Sequence, residues 1–263
     1  MNRYSRVHAE IDLDAILHNM DAMRGNIAKD TKIMAVIKAD GYGHGAVEIA
    51  ETIEKLDYLY GYAVATVEEG LILRNHGIQK PILILGYVFP DQYVDMIKAG
   101  IRPTVFTKEM AEKLSVAAAS IGRDCKIHFA IDTGMSRIGY QVTEEVADEM
   151  AQLSKLPHII VEGIFTHFAK ADEKDKEPTY QQIKLFRKMI DMLEERGVSI
   201  PIHHCSNSAG IVDIPEANMD MVRAGIILYG NYPSKEVDRS LLQLKEAMSV
   251  KAKISRVERL PKG

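Results

Sequence analysis

Eight times along the chain a short apolar run gives way to a longer amphipathic stretch, and this alternation restricts the fold more than any other feature of the sequence. Parallel strands buried on both faces read as continuous apolar runs, and each needs a crossover helix before the next can pair with it. The runs fall near residues 32–38, 59–64, 81–86, 102–105, 125–131, 158–166, 200–205 and 219–223, with no low-complexity or linker-like stretch between them. Eight such units predict an α/β fold, a closed TIM-type (β/α)8 barrel. The length of 263 residues suits one barrel with a remnant and is short for two full-sized domains.

The intervening segments carry helix signals. Ala46, Ile49, Ala50, Ile53 and Leu56 recur at helical spacing and predict a helix packed on the barrel exterior. Thr66 with Glu69, and Thr179 with Gln182, have the spacing of capping boxes and predict helix starts. The longest helix is expected from about Thr179 to Arg196, with Ile183, Phe186, Ile190 and Leu193 on one stripe and Gly197 as its stop. Beyond Ser240 the pattern changes. Met248 to Val257 alternates small or apolar with basic positions, as in a strand wet on one face. The expected organisation is a barrel over residues 1–240 and, over 241–263, the start of a truncated β domain, so that the chain reads as a fragment.

Charge and cysteine usage exclude several functions. There are 33 basic and 37 acidic side chains, for a net charge of -4, and no Lys/Arg run long enough to follow a nucleic acid or an anionic membrane. No stretch approaches a membrane span, and the start lacks the apolar segment of a secretion signal, so a cytoplasmic location is expected. Cys125 and Cys205 each lie in an apolar run without CxxC spacing and are read as buried thiols in a reducing compartment.

The first chemical feature is VIKADGYGHG, residues 36–45, where a strand-like run ends in a lysine and a glycine-rich turn. Strand alternation puts Lys38 on the face of Met34 and Val36, directed into the barrel mouth where active sites of this architecture lie. Two readings follow: a lysine that snorkels to solvent, or one that forms a Schiff base, which requires an unprotonated amine. Gly41, Gly43 and Gly45 favour the second, because glycine lets a backbone approach a ligand; their spacing is one residue short of a dinucleotide fingerprint. Ser208, in HHCSNSAG, and Gly225 with Ile226, in MVRAGIILYG, follow the last two strands, where such barrels commonly bind phosphate; each taken alone also reads as an ordinary turn. Arg223 stands in an apolar segment and needs a partner, either a barrel carboxylate such as Asp220 or the pyridine nitrogen of a cofactor. Arg137, in DTGMSRIG, is either a surface turn arginine or a ligand for a carboxylate; His167, in THFAKAD, is either a core histidine or a member of the site. His203 and His204 are adjacent on a strand and point to opposite faces, which argues against a shared metal ion.

These five motifs, VIKADGYGHG, DTGMSRIG, THFAKAD, NSAG and VRAGIILYG, in this order and spacing, closely resemble bacterial alanine racemases, and the resemblance spans essentially the whole chain. It implies an enzyme that interconverts L- and D-alanine with pyridoxal 5'-phosphate, supplying D-alanine for peptidoglycan. By position, Lys38 carries the cofactor and serves as the base for the D enantiomer; Tyr42, Ser208, Gly225 and Ile226 hold the phosphate. Arg223 faces the pyridine nitrogen, Arg137 binds substrate and the cofactor's phenolic oxygen, and His167, backed by Arg223, hydrogen-bonds the second base. Tyr229 lines the site less directly. The resemblance further implies a homodimer for the full-length protein and, as second base, a tyrosine of the carboxyl-terminal domain that this sequence does not reach. Ala130 departs from the lysine that many relatives carry beside the substrate arginine. Competing readings are a serine or broad-specificity racemase and a cofactor-binding barrel without catalysis.

Overall fold

The computed structural model describes residues 6–262. Eight strands follow in chain order: β2 (Lys32–Val36), β3 (Leu59–Val64), β4 (Ile82–Ile84), β5 (Ile101–Val105), β6 (Cys125–Ala130), β7 (Ile159–Phe165), β8 (Ile202–His204) and β9 (Met221–Ala224). All pair in parallel in the order β8-β7-β6-β5-β4-β3-β2-β9. Between the two ends, Asp220 N donates to His203 O at 3.2 Å and Arg223 N to Ser206 O at 3.0 Å, so the sheet curls into the expected barrel.

Threonine and aspartate caps set where the outer helices begin. Asp12, Thr66, Thr107 and Thr143 accept the backbone N–H three residues on, opening α1 (Leu13–Gly25), α4 (Val67–Asn75), α6 (Lys108–Ser120) and α7 (Glu144–Leu153); each such cap is worth about 1 kcal/mol. The helix after the first barrel strand, α3 (Ala46–Ile53), buries Ile49, Ala50 and Ile53 as its spacing predicts. The short α5 (Tyr93–Lys98) lies between β4 and β5, and α9 (Ser208–Asp213) between β8 and β9.

Both capping boxes depart from expectation. At Thr66 only the hydroxyl half forms, because the Glu69 carboxylate accepts Ala65 N (2.7 Å) and Ala39 N (2.8 Å) instead of the cap's own N–H. Thr179 is not a cap. The long helix α8 (Glu177–Glu195) begins two residues earlier, with Pro178 in its first turn, and Gln182 bonds to loops at the barrel rim.

The barrel interior is divided. Met34, Val36, Ala63, Leu83 and Met221 pack as an apolar cluster on one side, whereas the other side holds Thr104, His128, His204 and Arg223, all buried, with Glu162 beside them. The larger core lies between barrel and helices. Cys125 and Cys205 are free and buried there, and burial pushes both thiols up to about 12.

The amino-terminal strand β1 (Val7–Ile11) pairs antiparallel with β10 (Met248–Ala252), which makes a two-stranded sheet apart from the barrel. The carboxyl-terminal strand thus stops at Ala252, short of Val257; only its first residue is even half-buried, so it is wet on both faces. Among the described residues no helix is long and apolar enough to cross a membrane.

Candidate active site

The exit of β2 is the most unusual backbone among the described residues. In the short helical turn α2 (Lys38–Gly43), Ala39, Asp40, Gly41 and Tyr42 are all left-handed, with φ of 52°, 52°, 59° and 51°. Left-handed backbone costs an L residue about 1 kcal/mol or more, so three non-glycine residues here need bracing. Glu69 Oε1 accepts Ala39 N, Asp40 Oδ1 accepts Ala46 N at 2.9 Å, and Gly41 N donates to Ile37 O at 2.8 Å. Gly43 and Gly45 continue at φ of 82° and 89°. Gly41, Gly43 and Gly45 thus serve the turn's handedness.

This turn places Lys38 and Tyr42 on the wall of a cavity of about 520 Å³ at the carboxyl end of the strands, a volume typical of small-molecule sites. Because β9 lies next to β2, with Met34 opposite Arg223, the chain leaving β9 meets the same side of the mouth. Ser208, Gly225 and Ile226 line the cavity there. Ser208 opens α9, whose cap Asn207 accepts Ala209 N and Gly210 N, and its hydroxyl accepts Gly225 N at 3.1 Å. A Cβ on Gly225 would stand 3.1 Å from that hydroxyl, so the glycine keeps it open to the cavity. Tyr42 packs edge-on against Tyr229, at 5.3 Å between centroids, and Tyr229 donates to Val36 O at 2.9 Å from a buried position.

Arg223 is buried, and among the described residues it forms no ion pair. Asp220, the carboxylate considered for it, accepts His203 N instead. The guanidinium donates to Thr166 O (2.8 Å), His204 O (2.9 Å), Cys205 O (3.2 Å) and His204 Nδ1 (3.0 Å), and stands 3.4 Å from His167 Nδ1. Burial lowers its pKa to about 10. Burial, then the Arg223, Arg137 and Lys38 cations, pushes His167 down to about 3, so the ring is neutral and able to accept a proton's hydrogen bond at one nitrogen. Arg137 is exposed at the rim on the loop after β6, shaped by Asp132 accepting Gly134 N (3.0 Å) and Ser136 N (2.9 Å). It makes no hydrogen bond or ion pair among the described residues, and buried Ala130 offers it none. His203 and His204 do diverge, His203 toward Asp220 and His204 into the barrel.

Lys38, Tyr42, Arg137, His167, Ser208, Arg223, Gly225 and Ile226 therefore border one cavity, and Tyr229 stands behind Tyr42. The sequence reading missed the braces. Gln182 joins Ala169 N (2.9 Å), Thr133 Oγ1 (3.1 Å) and His167 O (3.2 Å), tying the loops after β6 and β7 together, and Glu69 holds the turn after Lys38. Both sit at positions whose local spacing suggested helix caps.

A family model described as the alanine racemase N-terminal domain matches residues 11–233. The chain belongs to this family. It is 46% identical over 258 residues to the alanine racemase of Clostridium tetani and 44% identical over 257 residues to that of Desulforamulus reducens, in each case over 98% of this chain, and over 66% and 69% of those proteins. The chain thus spans about two thirds of the length of these curated relatives. Among solved structures, the Clostridium difficile alanine racemase in complex with cycloserine superposes with a TM-score of 0.94 at 47% identity, over 97% of this chain and 70% of that one. The Bacillus anthracis alanine racemase with bound L-Ala-P superposes at 0.88 and 32% identity, over 95% and 64%. The fold is accordingly a (β/α)8 barrel followed by part of a strand-rich second domain.

Proposed function

We propose that this chain is the cofactor-bearing part of an alanine racemase, with a domain boundary near residue 240, and that the whole protein interconverts L- and D-alanine as a cytoplasmic homodimer, supplying D-alanine for peptidoglycan. The observation that carries the reading is the meeting, in one cavity, of a lysine amine, an anion cradle and a buried arginine. Pyridoxal 5'-phosphate fits these residues. Gly225 leaves the Ser208 hydroxyl uncovered, and with the Ile226 N–H and the Tyr42 hydroxyl it makes a set of donors suited to a phosphate. When bound through Lys38, that cofactor supplies an electron sink that makes the substrate's α-proton acidic.

The chain's own residues have distinct tasks in this reading. Lys38 holds the cofactor and then takes or returns the α-proton on the D side. Arg223 faces the pyridine nitrogen with a donor whose pKa is too high to surrender its proton to the ring, which limits charge build-up and the side reactions that accompany it. Arg137, without a hydrogen bond or ion pair among the described residues, binds the substrate carboxylate and the cofactor's phenolic oxygen. Neutral His167 orients the second base.

The test is borohydride reduction of the chain incubated with pyridoxal 5'-phosphate, followed by peptide mass mapping. The label is expected on Lys38; a different labelled lysine would reassign the site. A 263-residue polypeptide of this sequence is further expected to bind cofactor and to racemise alanine poorly, because among the described residues the one tyrosine lining the cavity is Tyr42, which this reading gives to the phosphate. Robust racemisation by that polypeptide alone would show that both bases lie within it.

A further inference from the structure

The polar side of the barrel interior contains a line of four side chains of which the cavity uses one end. Arg223 Nη1 lies 3.0 Å from His204 Nδ1, His204 Nε2 lies 2.9 Å from His128 Nδ1, and His128 Nε2 lies 3.4 Å from Glu162 Oε2. They come from β9, β8, β6 and β7, and both imidazoles are fully buried. At the far end Glu162 is held by Arg102 Nε (2.9 Å) and Lys126 Nζ (2.9 Å), each near the amino-terminal end of its strand.

The ends of this line fix its middle. A guanidinium can only donate, and an ionised carboxylate can only accept. Burial alone would raise the Glu162 carboxyl, but hydrogen bonds from His128, Arg102 and Lys126 hold it far below the ordinary range, so it is ionised. Burial, reinforced by Arg223, drives His204 well down, and burial lowers His128 despite Glu162, so both rings are neutral. One arrangement then satisfies every contact. Arg223 donates to His204 Nδ1, His204 carries its proton on Nε2 and donates to His128 Nδ1, and His128 carries its proton on Nε2 and donates to Glu162. The opposite tautomer at either ring sets donor against donor or acceptor against acceptor in a dry interior, where an unmade hydrogen bond is expensive. Space for the line is made by Gly163 on β7, where a Cβ would stand 2.3 Å from His128 Nδ1.

We propose that His204, His128 and Glu162 are positioning residues for Arg223, forming a one-way hydrogen-bond relay that fixes His204 Nδ1 as an acceptor and so aims the guanidinium at the cavity. The effect on a bound cofactor rests on the function proposed above, whereas the tautomers do not.

The test uses the chain labelled with nitrogen-15 at histidine. Without cofactor, NMR is expected to find both rings with bare Nδ1 and protonated Nε2, unchanged between about pH 6 and 8, the range where a free imidazole titrates. Glu162→Gln keeps an acceptor but removes the charge; it is expected to shift the ring nitrogens of His204, which residue 162 does not touch, and to weaken pyridoxal 5'-phosphate binding about fivefold. A protonated Nδ1 on either ring of the unaltered chain, a measurement that needs no variant to fold, overturns the relay. So does a folded Glu162→Gln chain whose His204 nitrogens stay where they were. If His204 shifts while cofactor binding is unmoved, the relay stands and it is the pyridine-facing role of Arg223 that fails.

Discussion

Replacing Lys38 with alanine is expected to abolish the borohydride-stable adduct with pyridoxal 5'-phosphate while leaving the fold intact. The amine makes no hydrogen bond or ion pair among the described residues and lines the cavity half-buried. Its loss should therefore change unfolding free energy by no more than about 0.5 kcal/mol. Any racemisation by a complete protein should fall on the order of 10³-fold or more, the scale expected when a covalent attachment point and a base vanish together. Absorbance of the reconstituted protein and urea unfolding of the same preparations check both halves. A variant that still gives the reduced adduct would show that another lysine holds the cofactor; one that unfolds early would make Lys38 a structural residue.

The second large effect is structural. Gly163→Ala is expected to cost about 2–4 kcal/mol, because the new methyl meets the buried His128 ring at 2.3 Å with His204 and Glu162 fixed behind it. For a domain of this size that corresponds to a fall in Tm of roughly 5–12 °C. Gly163 has neither a positive φ nor a turn to explain it, so backbone freedom is not at issue. Thermal unfolding followed by circular dichroism measures the effect. A Tm within about 2 °C of the parent would mean that His128 moves aside freely, which is incompatible with a tightly placed ring.

Much of this was legible in the sequence because it depends on period and on position along a strand. Each apolar run became a barrel strand, and Lys38, Ser208 and Arg223 reach the cavity because of where their strands end. What stayed hidden depends on partners distant in sequence. Glu69 and Gln182 have the local spacing of helix caps, yet their side chains bond across loops, since a rim backbone N–H in reach competes with the cap for the same oxygen. His128 and His204, 76 positions apart, carry no spacing signal at all. The handedness of the turn after Lys38 was announced only in part: Gly41 hints at it, but Ala39, Asp40 and Tyr42 adopt it because Glu69 and the Asp40 carboxylate hold the ends. The pairing of β1 with β10 joins the two ends of the chain and has no local signature either.

The split interior of the barrel bears on how such a sequence can drift. Around Met34, Val36, Ala63, Leu83 and Met221, single aliphatic exchanges of similar volume are absorbed by repacking. On the opposite wall a single exchange at His128, His204 or Arg223 strands a donor or an acceptor, so descendants would have to alter those residues together, with Glu162→Gln the one exchange that keeps an acceptor. Neutral variation should therefore accumulate on one wall singly and appear on the other, Glu162 aside, only as matched sets.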